Sequence, residues 1–327
     1  MADSHPYSRL TPDVVLNALE SVGLKTDGRQ LALNSYENRV YQVGIEDATP
    51  VVAKFYRPER WSDAQILEEH AFANELAEAE VPLVAPTSFE GRTLNEFDGF
   101  RFAVFPRRGG RAPELDRDGV LEWIGRFIGR IHATGRAQPF VHRPAIDIES
   151  FGREPRAFLL ASGLIPADLV ESWTAVADLA LENVERCFQR AGDYGTLRLH
   201  GDCHAGNVLW TDQGPHFVDL DDARTGPAVQ DLWMLVSGDR ESMCVQLGQI
   251  LRGYEDFSEF DDRELHLFEA LRTLRLLHYS AWLARRWDDP AFPMNFPFFN
   301  TPRYWQDRVL ELREQVAAMQ ESPLVPA

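Results

Sequence analysis

The stretch His200-Gly201-Asp202-Cys203-His204-Ala205-Gly206-Asn207-Val208-Leu209-Trp210, followed by Phe217-Val218-Asp219, constrains this chain more than any other. It sets an aspartate, an asparagine five positions on, and a second aspartate twelve positions after that between short apolar runs. If Leu197-Arg198-Leu199 is a strand, the residues after it form a loop that turns Asp202 and Asn207 toward one cavity. Asp219 then arrives at the end of a following strand. An isolated Asp-Gly or Gly-Asn marks only a turn. The joint spacing of three hard oxygen donors carries more, because such donors suit magnesium and the transfer of a phosphoryl group.

The five-residue spacing equals that between the aspartate and the metal-binding asparagine of kinase catalytic loops. On that spacing Asp202 accepts or orients the proton of an attacking hydroxyl, and Asn207 supplies a neutral oxygen to magnesium. Asp219 holds the ion that bridges phosphate oxygens, so it counts both as a catalytic residue and as a metal ligand. Cys203, His200 and His204 crowd together without the second ligand pair of a zinc site. His200 is read as a hydrogen-bonding group that holds the loop, and His204 as orienting phosphate or loop backbone. A carboxylate neighbour and burial both disfavour a Cys203 thiolate, so this thiol is expected to be inert.

The rest of the chain predicts an α+β, bilobal fold. Thr11-Pro12 can start a helix whose apolar side is Val15, Ala18, Leu19 and Val22, ending at Gly23. Residues 39–43 and 51–55 are short runs of strand character separated by a turn-like 46–50 and predict an antiparallel hairpin. Ile66, Leu67, Ala71, Phe72, Leu76 and Ala77 describe a helix capped by Ser62 or Asp63. The run 100–105 resumes the sheet. Pro106-Arg107-Arg108-Gly109-Gly110-Arg111 breaks the pattern and sets the expected boundary, with a nucleotide-binding lobe over 1–105 and a helical catalytic and substrate-binding lobe over 106–327. In the second lobe helical spacing recurs over 120–131, 169–188, 265–277 and 309–319. Short strand-like segments at 197–199, 208–210 and 216–220 carry the polar motif.

Lys54, behind three apolar residues of a strand, is the expected phosphate cation. Its expected partner is Glu69, because Phe72 and Leu76 lie three and seven positions beyond it on one helical face; Glu68 is the rival that sequence does not eliminate. No glycine-rich phosphate loop precedes Lys54. Asn34, Ser35 and Asn38 can instead bring backbone and side-chain donors to phosphate in a tight turn. Phe105 and Arg107, at the break between lobes, are expected beside the adenine. Asp221, Asp222 and Arg224 shape or neutralise the region after Asp219, and Asp231 buttresses the catalytic loop.

The motif, the run Val218-Asp219-Leu220-Asp221-Asp222 and the opening Asn34-Ser35-Tyr36-Glu37-Asn38-Arg39-Val40-Tyr41 resemble the stress response kinase A family. That family lies within the aminoglycoside phosphotransferase-like and choline-kinase-like enzymes. The resemblance extends through residues 51–61 and 226–233, nearly the whole chain. It implies a protein kinase-like fold with a small antiparallel-sheet N-lobe and a larger, mainly helical C-lobe. It further implies ATP and Mg2+ as cofactors, Asp202 as catalytic aspartate, Asn207 and Asp219 as magnesium ligands, and Ser35 at the ATP phosphates. The implied activity is transfer to serine and threonine hydroxyls of proteins, including the kinase itself, in bacterial stress response, by a monomer. The same machinery serves kinases of small alcohols, such as aminoglycosides, choline or homoserine-like acceptors. A non-catalytic ATP-binding module is the reading from another class.

Composition narrows the partners. The formal charge of −18 opposes nucleic acid as a ligand, while a local pocket with a lysine and a metal ion can still hold a nucleotide. The same charge favours basic over acidic peptide acceptors. Residues 1–6 carry neither a basic region nor an apolar core, and no apolar run approaches the roughly 18 residues of a membrane span. Three widely spaced cysteines fit a reducing compartment, so a cytoplasmic protein is expected. The proline-broken aromatic segment 288–299 either walls an acceptor groove or packs within the helical lobe.

Overall fold

The computed structural model describes residues 5–327; the first four, on which part of the reading of the N-terminus rests, lie outside the described residues. The chain runs α1 (Pro12–Ser21), β1 (Thr26–Ala32), β2 (Arg39–Ile45), β3 (Val51–Phe55), α2 (Asp63–Glu78), β4 (Asn95–Phe97), β5 (Phe100–Pro106) and α3 (Val120–Gly135). It continues through α4 (Glu154–Ala161), α5 (Val170–Ala191), β6 (Leu197–Leu199), β7 (Val208–Thr211), β8 (Gly214–Phe217) and β9 (Arg224–Gly226). The remaining helices are α6 (Gln230–Trp233), α7 (Arg240–Tyr254), α8 (Phe268–Arg285), α9 (Ala291–Asn295) and α10 (Pro302–Gln320). Two compact units result. Among the described residues the first holds 5–113 with 140–143 and 205–223, and the second holds 114–139, 144–204 and 224–327. This is the bilobal α+β architecture expected, an antiparallel sheet in one unit and helices in the other. Among the described residues no helix is long and apolar enough to cross a membrane.

In the first unit five antiparallel strands lie in the order β1-β2-β3-β5-β4. Strand periodicity assigns the faces. Ala53 and Phe55 of β3, Val43 and Ile45 of β2, and Phe100, Phe102 and Val104 of β5 bury one face against Val15, Ala18 and Leu19 of α1. The alternate residues Val40, Val52, Lys54 and Phe105 are thereby turned to the other face, where they line a cavity. Both helices start as their sequences dictate. Thr11 caps α1 by accepting from the Val14 N–H, with Pro12 in its first turn. Ser62 caps α2 in a reciprocal box, its hydroxyl accepting from Gln65 N and its own N–H donating to Gln65 Oε1 at 2.9 Å.

The strand β1 had no counterpart in the sequence reading. It is an edge strand, largely exposed, with Gly28 at φ +82° and a register irregularity between Thr26 and Gln30, so it shows no apolar alternation. The strand expected over 216–220 ends at Phe217, because Asp219 takes a left-handed conformation (φ +64°) and Leu220–Asp222 coil into a 3-10 turn.

In the second unit α5 packs along α10, and α8 lies against α4, α5 and α10. The aromatic segment after α8 belongs to this packing. Phe292 stands edge-on to Trp282 at 5.1 Å and Phe299 to Trp287 at 4.9 Å, both phenylalanines being buried. Helices α3 and α7 approach more closely than large side chains allow. A Cβ at Gly125 would overlap the Ile250 carbonyl, and one at Gly253 would overlap the Glu122 carbonyl. This explains why α7 escapes a search for apolar stripes, since Gly248 and Gly253 occupy part of its buried face. Alanine is the better helix former by about 1 kcal/mol, but here backbone must move to admit it. Gly125→Ala is therefore expected to destabilise the protein by about 2 kcal/mol, read as a lower denaturant midpoint.

Glu264, buried beside the start of α6, accepts from the Val229 N–H at 2.9 Å. Burial raises its carboxyl from the ordinary 4.5 to about 7, against the pull of that hydrogen bond. A carboxyl raised on folding contributes stability that is fully present below its unfolded value and is lost as pH rises through the folded one. The melting temperature should therefore fall between about pH 4.5 and 7 through this group. Glu264→Gln should flatten that part of the curve, measured by thermal melts of both proteins across the window.

Candidate active site

The first unit encloses a cavity of about 360 Å3. Its apolar walls include Val40, Val52, Ala73, Val84 and Leu209, and its polar lining includes Ser35, Lys54, Glu69, Asn207 and Asp219. Lys54 is buried at its floor because β3 turns alternate residues away from the α1 face. Its Nζ lies 3.1 Å from Asp219 Oδ1, 3.0 Å from Asp221 Oδ1 and 3.6 Å from Glu69 Oε1. Burial would lower the ammonium's pKa, but Asp219, Asp221 and Glu69 outweigh it and hold Lys54 well above its ordinary value. The lysine is a permanent cation.

Each carboxylate around it has its own support. Burial raises Glu69 above the ordinary range, with Lys54 and then Arg143 pulling it back. Arg143 reaches Glu69 Oε2 at 3.3 Å. Burial would raise Asp221 as well, but Arg60 and Lys54 hold it at about 2. Arg60 pairs with Asp221, with Asp222 at 2.8 Å and with Glu37 at 3.7 Å. Glu68 does not face the lysine; it accepts from the backbone N–H groups of His142 and Arg143 at 2.9 and 2.7 Å.

The hairpin β7–β8 brings Asn207 and Asp219 to one end. Val208 opposes Phe217, and Val218 N donates to Asn207 O at 3.1 Å, so the two metal-ligand candidates flank the open end of the ladder. The left-handed turn at Asp219 leaves its carboxylate half exposed in the cavity. A neutral amide oxygen and an exposed carboxylate beside a fixed ammonium form a donor set that fits a hard divalent cation bridging phosphates.

The remaining candidates divide. Ser35 lines the cavity and donates to Asn38 O at 3.3 Å. Phe105 also lines it, edge-on to His70 at 6.4 Å. Burial lowers His70 to about 3, so it is neutral between Tyr56 Oη (2.7 Å) and Thr93 Oγ1 (2.8 Å). Arg107 donates from Nε to Gln42 Oε1 at 2.7 Å, while the adjacent Arg108 lines the cavity.

Asp202 lies in the second unit, on the loop after β6. Arg275 of α8 reaches its Oδ1 at 2.6 Å, and His204 Nε2 stands 3.5 Å from its Oδ2. The loop is braced from below by buried Asp231, which accepts from His200 N and Gly201 N, each at 2.8 Å, and from His132 Nε2 at 3.0 Å. Gln230 Nε2 adds a bond to Gly201 O at 3.1 Å. Cys203 is fully buried, and burial with the Asp231 and Asp202 charges pushes its thiol well above the ordinary value. Arg224 stacks over Phe151 at 5.0 Å. Sequence reasoning did not find Arg60, Arg143 or Arg275; each is remote in sequence from the carboxylate it meets, and none belongs to a periodic pattern.

Three comparisons bear on this geometry. Residues 29–277 match the family described as "Phosphotransferase enzyme family". The chain is 50% identical over 318 residues to stress response kinase A of Escherichia coli (strain K12), covering 97% of this chain and 96% of that protein. It is 49% identical, with the same coverage, to the serine/threonine protein kinase RdoA of Salmonella typhimurium (strain LT2). Among solved structures, an amicoumacin kinase in complex with AMP-PNP, Ca2+ and Ami superposes with TM-score 0.71 at 18% identity, over 96% of this chain and 95% of that one. A spectinomycin phosphotransferase in complex with ADP and spectinomycin gives 0.63 at 13% identity, over 94% and 97%. These last two share the fold. The chain belongs to the stress response kinase A family, within the phosphotransferase enzyme family.

Proposed function

We propose that the protein is an ATP- and Mg2+-dependent serine/threonine kinase acting in bacterial stress response, and that the first-unit cavity is its nucleotide site. The observation that carries this reading is the meeting of Lys54 Nζ and Asp219 Oδ1 at 3.1 Å in a cavity that Asn207 also lines. The apolar walls suit a base, with Phe105 beside it, and the Asn34–Ser35 turn suits the phosphates. When bound, Mg2+ neutralises charge on the phosphate oxygens. Asn207 and Asp219 would hold it, and Lys54 would fix the nucleotide's phosphates. Asp202, held by Arg275 and braced through Asp231, would orient the acceptor hydroxyl and take its proton. In this reading residues 1–105, joined by the Asn207 to Asp219 segment that lines the same cavity, carry nucleotide binding and the rest of 106–327 carries catalysis and acceptor recognition, in a cytoplasmic monomer.

Protein hydroxyls are favoured as acceptors because the half-identical relatives are named as stress response and serine/threonine kinases. Small-alcohol transfer is the second reading, favoured by the fold shared with antibiotic kinases at 18% and 13% identity.

The test is transfer of labelled γ-phosphate from Mg-ATP to protein and small-alcohol acceptors in parallel. Wild-type protein is expected to label protein serine or threonine, its own included. Asp202→Ala should reduce the rate on the order of 10²–10⁴-fold. Labelling of small alcohols alone would replace the first reading with the second, and an undiminished rate in Asp202→Ala would remove that residue from the chemistry. Lys54→Met should weaken Mg-ATP more than it alters acceptor dependence, read from the two KM values.

A further inference from the structure

The segment 140–143 is a place where the chain, between two stretches assigned to the second unit, contributes four residues to the first. Its contacts there concentrate on one stripe of α2, namely Gln65, Glu68, Glu69 and Phe72, which helical spacing places on a single face. Phe140 stands edge-on to Phe72 at 5.5 Å. Gln65 Nε2 donates to His142 O at 3.0 Å. Glu68 accepts three successive backbone N–H groups, from Val141, His142 and Arg143.

Arg143 completes the attachment from inside. Its side chain is wholly buried, with the guanidinium 4.6 Å from the Trp61 ring centroid. Nη1 donates to Gln65 O at 3.1 Å and to Glu69 Oε2 at 3.3 Å, both on α2. Nε donates to Ala223 O at 2.6 Å and Nη2 to Asp221 O, both on the turn that follows Asp219. One planar cation thus joins α2 to the Asp219 turn. The carboxylate of Glu69 is held from two sides, Oε1 by Lys54 and Oε2 by Arg143.

We propose that residues 140–143 are a built-in clasp and that Arg143 is a positioning residue, setting Glu69 and the Asp219 turn against Lys54 for nucleotide binding. The proposal rests on the reading of this cavity as the nucleotide site. In protein kinases the corresponding lysine–glutamate pair is made or broken by movement of the helix that carries the glutamate. Here that helix is fixed by the chain's own residues, so the pair is set without an external signal. Without Arg143, Glu69 would keep one buried oxygen with no cation against it. Protonating or withdrawing that carboxylate would leave Lys54 to Asp219 and Asp221 alone, without the pull from α2 that sets its nitrogen between them and the phosphates.

The test is equilibrium binding of Mg-AMP-PNP by calorimetry to the full chain and to Arg143→Met, Arg143→Lys, Glu69→Gln and Glu68→Ala, with near-ultraviolet circular dichroism to check folding. Arg143→Met should weaken binding about tenfold, with Arg143→Lys between it and wild type. Arg143→Met combined with Glu69→Gln should lose less than the product of the two single losses, because the arginine acts in part through the glutamate and in part through the Asp219 turn; a merely structural role would make the two losses multiply. Should Arg143→Met fail to fold, Glu68→Ala loosens the segment from its partly exposed side and is expected to weaken binding several-fold in a folded protein. Undiminished binding in Arg143→Met or Glu68→Ala, or multiplying losses, overturns the clasp alone. A wild-type chain that binds no Mg-AMP-PNP overturns the nucleotide reading and the clasp with it.

Discussion

An ammonium taken out of water costs several kcal/mol unless its surroundings replace the lost solvation. The first unit is arranged around meeting that cost for Lys54. Strand alternation puts the lysine on the face opposite the α1 core, where Glu69, Asp219 and Asp221 converge on one nitrogen. Three carboxylates around one lysine are themselves unstable, so two arginines enter. Arg60 takes Asp221 and Arg143 takes Glu69, while Asp219 alone stays half exposed. The carboxylate with the least protein compensation is the one whose proposed work is to meet a divalent cation.

The Asp202 loop follows a different rule. Its backbone must turn sharply at Gly201, at φ +84°, which leaves the N–H groups of His200 and Gly201 buried without a ladder partner. Orphaned amides of this kind are costly. Asp231 satisfies both with its two oxygens, and His132 accompanies it. The same carboxylate that removes this cost fixes the loop's position, so the geometry of Asp202 rests on a residue twenty-nine places further along the chain.

Legibility in the sequence follows from how local each determinant is. β3 could be read residue for residue, because Val51–Phe55 is an unbroken apolar strand with one charged residue. The start of α2 was marked by Ser62 and Asp63, and the phase of Phe72 and Leu76 turned Glu69 inward, where its carboxylate lies 3.6 Å from Lys54. Glu68, the rival, is held by the backbone of residues 141–143, which no local pattern could announce. The edge strand β1 and the glycine-faced α7 were illegible for opposite reasons. One is too exposed to show a period, and the other is buried through residues that hydrophobic patterns do not count. The bilobal α+β class was legible nonetheless, since the change from period-two to helical spacing is a property of long stretches.

Net charge misleads in a chain like this one. At −18 the protein repels anions on average, yet three of its cations meet where carboxylates are buried. Lys54, Arg60 and Arg143 all sit within the same cluster and are almost fully enclosed, where screening by salt is weak. Their field is more than answered by Glu37, Glu69, Asp219, Asp221 and Asp222, so a nucleotide would meet an acidic floor with one directed ammonium. A bridging cation held by Asn207 and Asp219 would supply the remaining positive charge. On these grounds affinity for the nucleotide without magnesium should be low, since a floor this acidic would hold a nucleotide's phosphates only through an ion recruited with them.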